Sequence, residues 1–119
     1  MTGEAPYRER AEKTAQSFKG ELERHSAAFP YLLCALDWMQ GGAKEVVVAG
    51  PDPEGLLRVV RRSYVPNKVV ALSDGRKAPF ALLDGKGPVN GKAAGYVCEN
   101  MACKLPVTDP KELEELLKK

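Results

Sequence analysis

The spacing of apolar side chains changes character near residue 43. Before it the spacing is helical. Tyr7, Ala11, Ala15, Phe18, Leu22 and His25 recur at steps of three and four, which predicts an amphipathic helix over 6–25 with Pro6 in its first turn. Phe29, Leu32, Leu33, Leu36 and Met39 form a second stripe, widened by Cys34 and Ala35. Ser26 is the expected cap, Pro30 falls in the first turn, and Gly41-Gly42 is the stop. The link is short, so the two runs read as an antiparallel helical hairpin over 1–43. In this reading Cys34 is a small core residue.

After residue 43 the pattern alternates between strand and helix. Glu45-Val-Val-Val-Ala-Gly50 is a β-branched run whose unbroken apolar character suits a strand buried on both faces. Asp52-Pro53-Glu54 opens a helix, with Asp52 as the expected cap and Leu56, Leu57, Val60 and Tyr64 as its apolar face. Lys68-Val-Val-Ala-Leu-Ser73 is a second strand, completing a βαβ unit of about 30 residues. Residues 74–93 are dense in Gly and Pro and surround one apolar stretch, Phe80-Ala-Leu-Leu83, too short to assign to strand or helix. Asn90-Gly91 is a hairpin-type turn signal. Gly95-Tyr-Val-Cys98 is a third strand. Asp109, Pro110 and Glu112 open a last helix with Leu113, Leu116 and Leu117 buried and Lys118 and Lys119 at its end.

The expected fold is therefore α/β. An N-terminal helical hairpin precedes a small module over 44–119, with about three short, mostly parallel strands, the first of them central. The two parts are expected to pack as one compact unit. The chain has 119 residues, enough for one core and not two.

Charge narrows the function classes. The net charge is only +2, and residues 44–92 carry nine basic against five acidic residues. The excess is scattered apart from Arg58, Arg61 and Arg62, and no aromatic is interleaved with that trio, so the footprint of a nucleic-acid binder is missing. No stretch approaches the roughly 20 apolar residues that span a bilayer, and the charge-rich first thirty residues predict no signal peptide. No membrane partner is expected, and a cytoplasmic location is.

Candidate chemistry is sparse. Cys98 and Cys103, five positions apart at a strand end, are candidate redox thiols or metal ligands. The chain offers three cysteines and one histidine, short of the four protein ligands of a structural zinc site. The spacing also departs from the C-x-x-C of thioredoxin-type motifs. Structural thiols, a reversible disulfide and a metal site stay open, in that order. Asp84-Gly-Lys-Gly-Pro-Val-Asn-Gly91 does not match a phosphate loop, because Pro88 removes a donor and a strand follows it. The Gly50-Pro-Asp-Pro turn sits where an anion could bind, but Asp52 would occupy the helix N-terminus itself. His25 ends a helix with no nucleophile beside it. Asp37 reads either as a solvent-facing acid at the edge of the second stripe or as a paired buried acid, and Trp38 reads as a packing residue. No catalytic residue, metal site or cofactor is assigned.

Several segments together resemble one family. These are Tyr-Arg-Glu-Arg-Ala-Glu at 7–12, Phe-Pro-Tyr-Leu-Leu-Cys-Ala-Leu-Asp at 29–37, Val-Pro-Asn-Lys-Val at 65–69, and Gly-Tyr-Val-Cys-Glu-Asn-Met-Ala-Cys at 95–103, followed by Pro-Val-Thr-Asp-Pro at 106–110. They are similar, in order and over nearly the whole chain, to the C-terminal part of the YyaL-like, spermatogenesis-associated, thioredoxin-domain-containing proteins. The resemblance implies a longer architecture: a thioredoxin-like domain bearing the redox cysteines, then a six-hairpin α/α toroid similar to sugar epimerases. It implies that 1–43 is a closing toroid hairpin and 44–119 a small α/β appendage. None of the family's redox or sugar-site residues has a counterpart here. Cys98 and Cys103 match its C-terminal cysteine segment, and Met101 stands where an aromatic is frequent. The chain is thus expected to be a fragment or split-gene product and, alone, no enzyme. It would be a non-catalytic structural or interaction module, partnered by the missing N-terminal domains, a partner chain or itself. The alternative is a thiol-based redox or metal-binding protein using Cys98 and Cys103. A third reading, a sugar-active fragment, needs a second polypeptide, since Asp37 is a single acid and one acid is not a glycosidase site.

Overall fold

The computed structural model describes residues 5–74, 80–100 and 102–118. They form two compact units, divided at residues 42 and 43.

The first unit is helical. α1 spans Ala5–Ser17, α2 spans Lys19–His25, a 3-10 turn covers Ser26–Ala28, and α3 spans Pro30–Gly41. The single helix expected over 6–25 is thus interrupted at Phe18, which sits at φ −95° and ψ 3°. The sequence around the break is a poor helix interior. Thr14 Oγ1 donates to the Arg10 carbonyl and Ser17 Oγ to the Thr14 carbonyl, so both hydroxyls compete for helical acceptors. Gly20 follows, the least helix-favouring residue after proline. Ser26 is not the cap of α3. It opens the 3-10 turn, and Phe29 precedes Pro30 with no side-chain cap. The Phe18 and Phe29 rings meet at 5.9 Å, tilted by 50°. Ala15 is the one buried residue in α1–α3. Cys34, expected in a core, is exposed, while Leu32, Leu36 and Met39 of the stripe are half-buried.

The second unit is a four-stranded sheet covered by two short helices. β1 (Lys44–Ala49) leads through α4 (Glu54–Arg62) to β2 (Lys68–Ser73). β3 (Ala94–Glu99), β4 (Ala102–Cys103) and α5 (Pro110–Lys118) follow. The strand order is β2-β1-β3-β4. The expectation of about three mostly parallel strands is corrected here. Only β1 and β2 are parallel, whereas β3 runs antiparallel to β1 and β4 antiparallel to β3. The register explains why. Ala49 pairs with both Ser73 and Ala94, so the chain enters β3 at the same end at which it left β2. A parallel return needs a crossover to the opposite end, and the excursion makes none.

β1 is buried as its composition demands, with Val46 through Ala49 fully inaccessible. Strand alternation sends Val46 and Val48 to one face, where they join Val97, Leu56, Leu57, Val60, Leu113 and Leu117 in the core. Gly95 makes that packing close: a Cβ on it would meet Leu113 carbons at 3.0 Å. On the other face, Leu82 is buried on a 3-10 turn over Ala81–Leu83, which settles the short apolar stretch as neither strand nor α-helix. The Tyr96 hydroxyl donates to the Gly87 carbonyl at 2.7 Å and accepts from the Gly87 N–H. This fastens the turn-rich excursion to β3.

The turns follow their chemistry. Asn90 and Gly91 both have positive φ, and Val89 and Lys92 pair across them, as the Asn-Gly signal predicts. Gly50 has φ +113°, and a Cβ there would lie 2.9 Å from that of Pro88 and 3.0 Å from the Ala93 backbone, so only glycine fits. Asp52 is not the cap of α4. That position belongs to Pro53, with no side-chain hydrogen bond, and Asp52 takes φ 51° to deliver it. Asp109 does cap α5, its Oδ1 accepting the Lys111 N–H at 2.6 Å. Tyr64 lies beyond α4 and is 92% exposed, so it is not part of that helix's buried face. Gly75 and Pro79 of the excursion, together with Met101 and Lys119, lie outside the described residues.

Candidate functional site

The two cysteines singled out in the sequence meet. β3 and β4 form a hairpin in which Glu99 faces Ala102 and Cys98 faces Cys103. Asn100 follows Glu99 in the left-handed region at φ 49°, a conformation asparagine tolerates better than most residues. The pairing brings the two Cα atoms to 3.9 Å, and the sulfurs are joined in a disulfide. Sulfurs joined in this way offer no thiolate to a metal. Among the described residues there is no cluster of three or more His, Cys, Asp or Glu able to hold one.

The disulfide is asymmetric. Cys98 is 2% exposed, whereas Cys103 on the edge strand is exposed. The Cys98 end of the bond is therefore anchored in the sheet, and the Cys103 end belongs to an exposed residue of the edge strand. Beyond Cys103 the Lys104 N–H donates to the Val97 carbonyl at 3.0 Å, and Val107 exchanges hydrogen bonds with Gly95 at 2.7 and 3.0 Å. The segment is thus held on both sides of the disulfide.

An ion pair flanks the hairpin. Lys44 Nζ donates to Glu99 Oε1, joining the start of β1 to the end of β3 across 55 residues of sequence. The Lys44 hydrogen bond holds the Glu99 carboxyl below its ordinary pKa. Partial burial opposes that, and the charges of Lys44 and Lys104 reinforce it. Sequence inspection did not find this pair, because nothing local links Lys44 to Glu99 before the register is known. The disulfide had a readable signal. Asn100 lies between two cysteines five positions apart, a spacing at which a tight hairpin sets them opposite each other.

The other singled-out residues do not join this site. His25 closes α2, where a basic residue suits the helix end. Asp37 is exposed on α3 and Trp38 is half-buried. The Gly50-Pro-Asp-Pro turn borders a separate crevice that includes Asp52 and Lys92. A second hollow, about 460 Å³, lies within the helical unit and is lined by Ala15, Leu22, Leu33, Leu36 and Met39 with polar rims. Among the described residues no helix is long and apolar enough to cross a membrane.

Fold and site together define a class: a small mixed α/β module carrying a cross-strand disulfide, preceded by a helical unit without a core. The chain is 34% identical, over 98% of its length, to spermatogenesis-associated protein 20 from human, with the same identity and coverage for the rat and mouse proteins. It spans about 16% of the length of these relatives. No family model matches the chain, and no solved structure matches it.

Proposed function

We propose that this chain is a non-catalytic, C-terminal structural and interaction module of a larger protein in the spermatogenesis-associated, thioredoxin-domain-containing family. On this reading the rest of that protein, a thioredoxin-like domain and an α/α toroid, supplies the surface on which α1–α3 pack. One observation carries it: α1–α3 bury a single residue, Ala15, while Leu22, Leu33, Leu36 and Met39 line an open hollow. A helix with an apolar stripe gains most of its stability from what covers that stripe. Sedimentation velocity across a concentration series tests this. The chain alone associates reversibly through the hollow. Leu36→Glu weakens the association, and the remaining polypeptide of the human relative, supplied in trans, competes with it. A clean monomer at high concentration, indifferent to that polypeptide, overturns the reading.

The Cys98–Cys103 disulfide favours a second reading, a thiol-based redox protein. The step is exchange with a dithiol. The donor's thiolate attacks the exposed Cys103 Sγ, forming a mixed disulfide and releasing Cys98 as thiolate. The donor's second thiol then displaces Cys103. The donor ends as a disulfide and the module as two thiols after uptake of two protons. Thiol titration with elemental analysis tests it. One thiol, Cys34, reacts before reduction and three react after, with no metal. If Cys98 and Cys103 are never oxidised, or stay unreactive to dithiols when folded, the redox reading fails.

A further inference from the structure

We infer that the crevice between the C-terminal turns of α4 and α5 binds a small organic anion, one phosphate or carboxylate group on an apolar body. The crevice encloses about 490 Å³, within the range that holds small ligands. Its floor is apolar, from Val59, Val65 and Leu117, and its rim carries Arg58, Arg62 and Tyr64.

Arg58 and Arg62 stand four residues apart, hence on one face of α4. The third arginine, Arg61, is engaged by Glu54 at 3.3 Å. No ion pair or hydrogen bond holds the side chain of Arg58 or Arg62 among the described residues. The one carboxylate lining the crevice, Glu114, pairs with Lys118 at 3.0 Å, a lysine that also meets Glu115 at 3.3 Å, and not with either arginine. Two like charges at this spacing disfavour the helix slightly. The usual structural service of a cation here is to satisfy the last carbonyls of the helix. Lys68 already performs it, with Nζ donating to the Val60 and Ser63 carbonyls at 2.8 and 2.7 Å.

The remaining chemistry selects the ligand. Guanidinium forks match the two oxygens of a phosphate or carboxylate, which sets the sign and shape of the polar end. An apolar floor beneath them favours a molecule with a hydrophobic body over a bare ion. Tyr64, nearly fully exposed beside both arginines, offers an aromatic face to that body. Arg58, Arg62 and Lys118 are the cations that line the crevice, too few for the stripe that an extended polyanion needs. All of these residues belong to the 43–118 unit, so the inference stands apart from the reading of α1–α3.

An amide NMR titration of the full chain with phenyl phosphate tests it, with benzoate, inorganic phosphate and phenol as comparators. Saturable shifts at Val59, Ser63, Tyr64, Val65 and Leu117 are expected. Phenyl phosphate or benzoate should bind about tenfold more tightly than inorganic phosphate or phenol, and the tighter of the two names the oxyanion. Added salt weakens the binding. The double variant Arg58→Gln/Arg62→Gln should lose about tenfold in affinity with an unchanged thermal melt, since both side chains are exposed. Arg61→Gln should leave it intact. If neither phenyl phosphate nor benzoate binds more tightly than inorganic phosphate and phenol, if the shifts scatter away from the crevice, or if the double variant is unaffected, the proposal is overturned.

Discussion

The two halves of this chain use apolar residues at similar density and reach different ends. α1 and α3, of 13 and 12 residues, bury Ala15 between them. α4 and α5, of nine residues each, bury Leu56, Leu57, Val60, Leu113 and Leu117. Helix length therefore does not decide burial here. The difference is the partner: α4 and α5 lie on a sheet whose central strand offers Val46 and Val48 as a continuous floor. A sheet needs a cover and supplies a wide apolar face, so two short amphipathic helices suffice. Three helices without such a floor leave Leu33 and Phe18 substantially exposed.

The sharpest way to break this comparison is to truncate a leucine in each half. Leu113→Ala removes a fully buried side chain packed against Gly95 and should cost about 2–5 kcal/mol. Leu33→Ala, at a position 41% exposed, should change stability by less than about 0.5 kcal/mol. Denaturant melts followed by circular dichroism measure both. Equal losses would mean that α1–α3 have a core after all. Gly95→Ala sharpens the same point from the opposite direction, since its methyl would press on Leu113 and cost about 1–3 kcal/mol.

How much of this was legible in advance differs between the halves for the same reason. β1, α4, β3 and α5 are written in local patterns, because each turn or cap carries its own chemistry: Pro110 after Asp109, Asn90 before Gly91. Strand direction was not, because it depends on where the chain re-enters the sheet after Ser73, and turn-rich composition does not encode that. The exposure of Cys34 was misread because an apolar stripe states only that a partner is wanted. The candidate site was half legible. Cys98 and Cys103 were visible as a pair, but their bond needed the Asn100 turn, and the Lys44–Glu99 contact needed the register.

The next effect in size concerns the disulfide. Cys103→Ser leaves the β3–β4 hairpin with only its backbone bonds. A disulfide closing so short a loop restricts the unfolded chain by about 2 kcal/mol, and the variant should lose roughly that much. The loss belongs to the 43–118 unit, so amide hydrogen exchange in α1–α3 should not change. A variant as stable as the parent under oxidising conditions would show that the bond is not formed in solution.

A smaller effect than that of the disulfide is electrostatic and sharpens the picture at the same hairpin. Glu99 has a folded-state pKa below its ordinary value of 4.5, first because Lys44 donates to it. A depressed carboxyl binds its proton more weakly in the folded chain than in the unfolded one. Its contribution is therefore complete above the ordinary value and disappears as pH falls below it, through the lowered folded pKa. The Glu99 side chain is 35% exposed, so water screens the pair and the contribution is at most about 1 kcal/mol. Lys44→Met should remove that part of the acid-side loss while leaving stability at neutral pH within the same margin. The check is a set of denaturant melts between neutral and acid pH for both chains. If the two curves stay parallel as the pH falls, Lys44 does not hold Glu99, and the start of β1 is tied to β3 by its backbone alone.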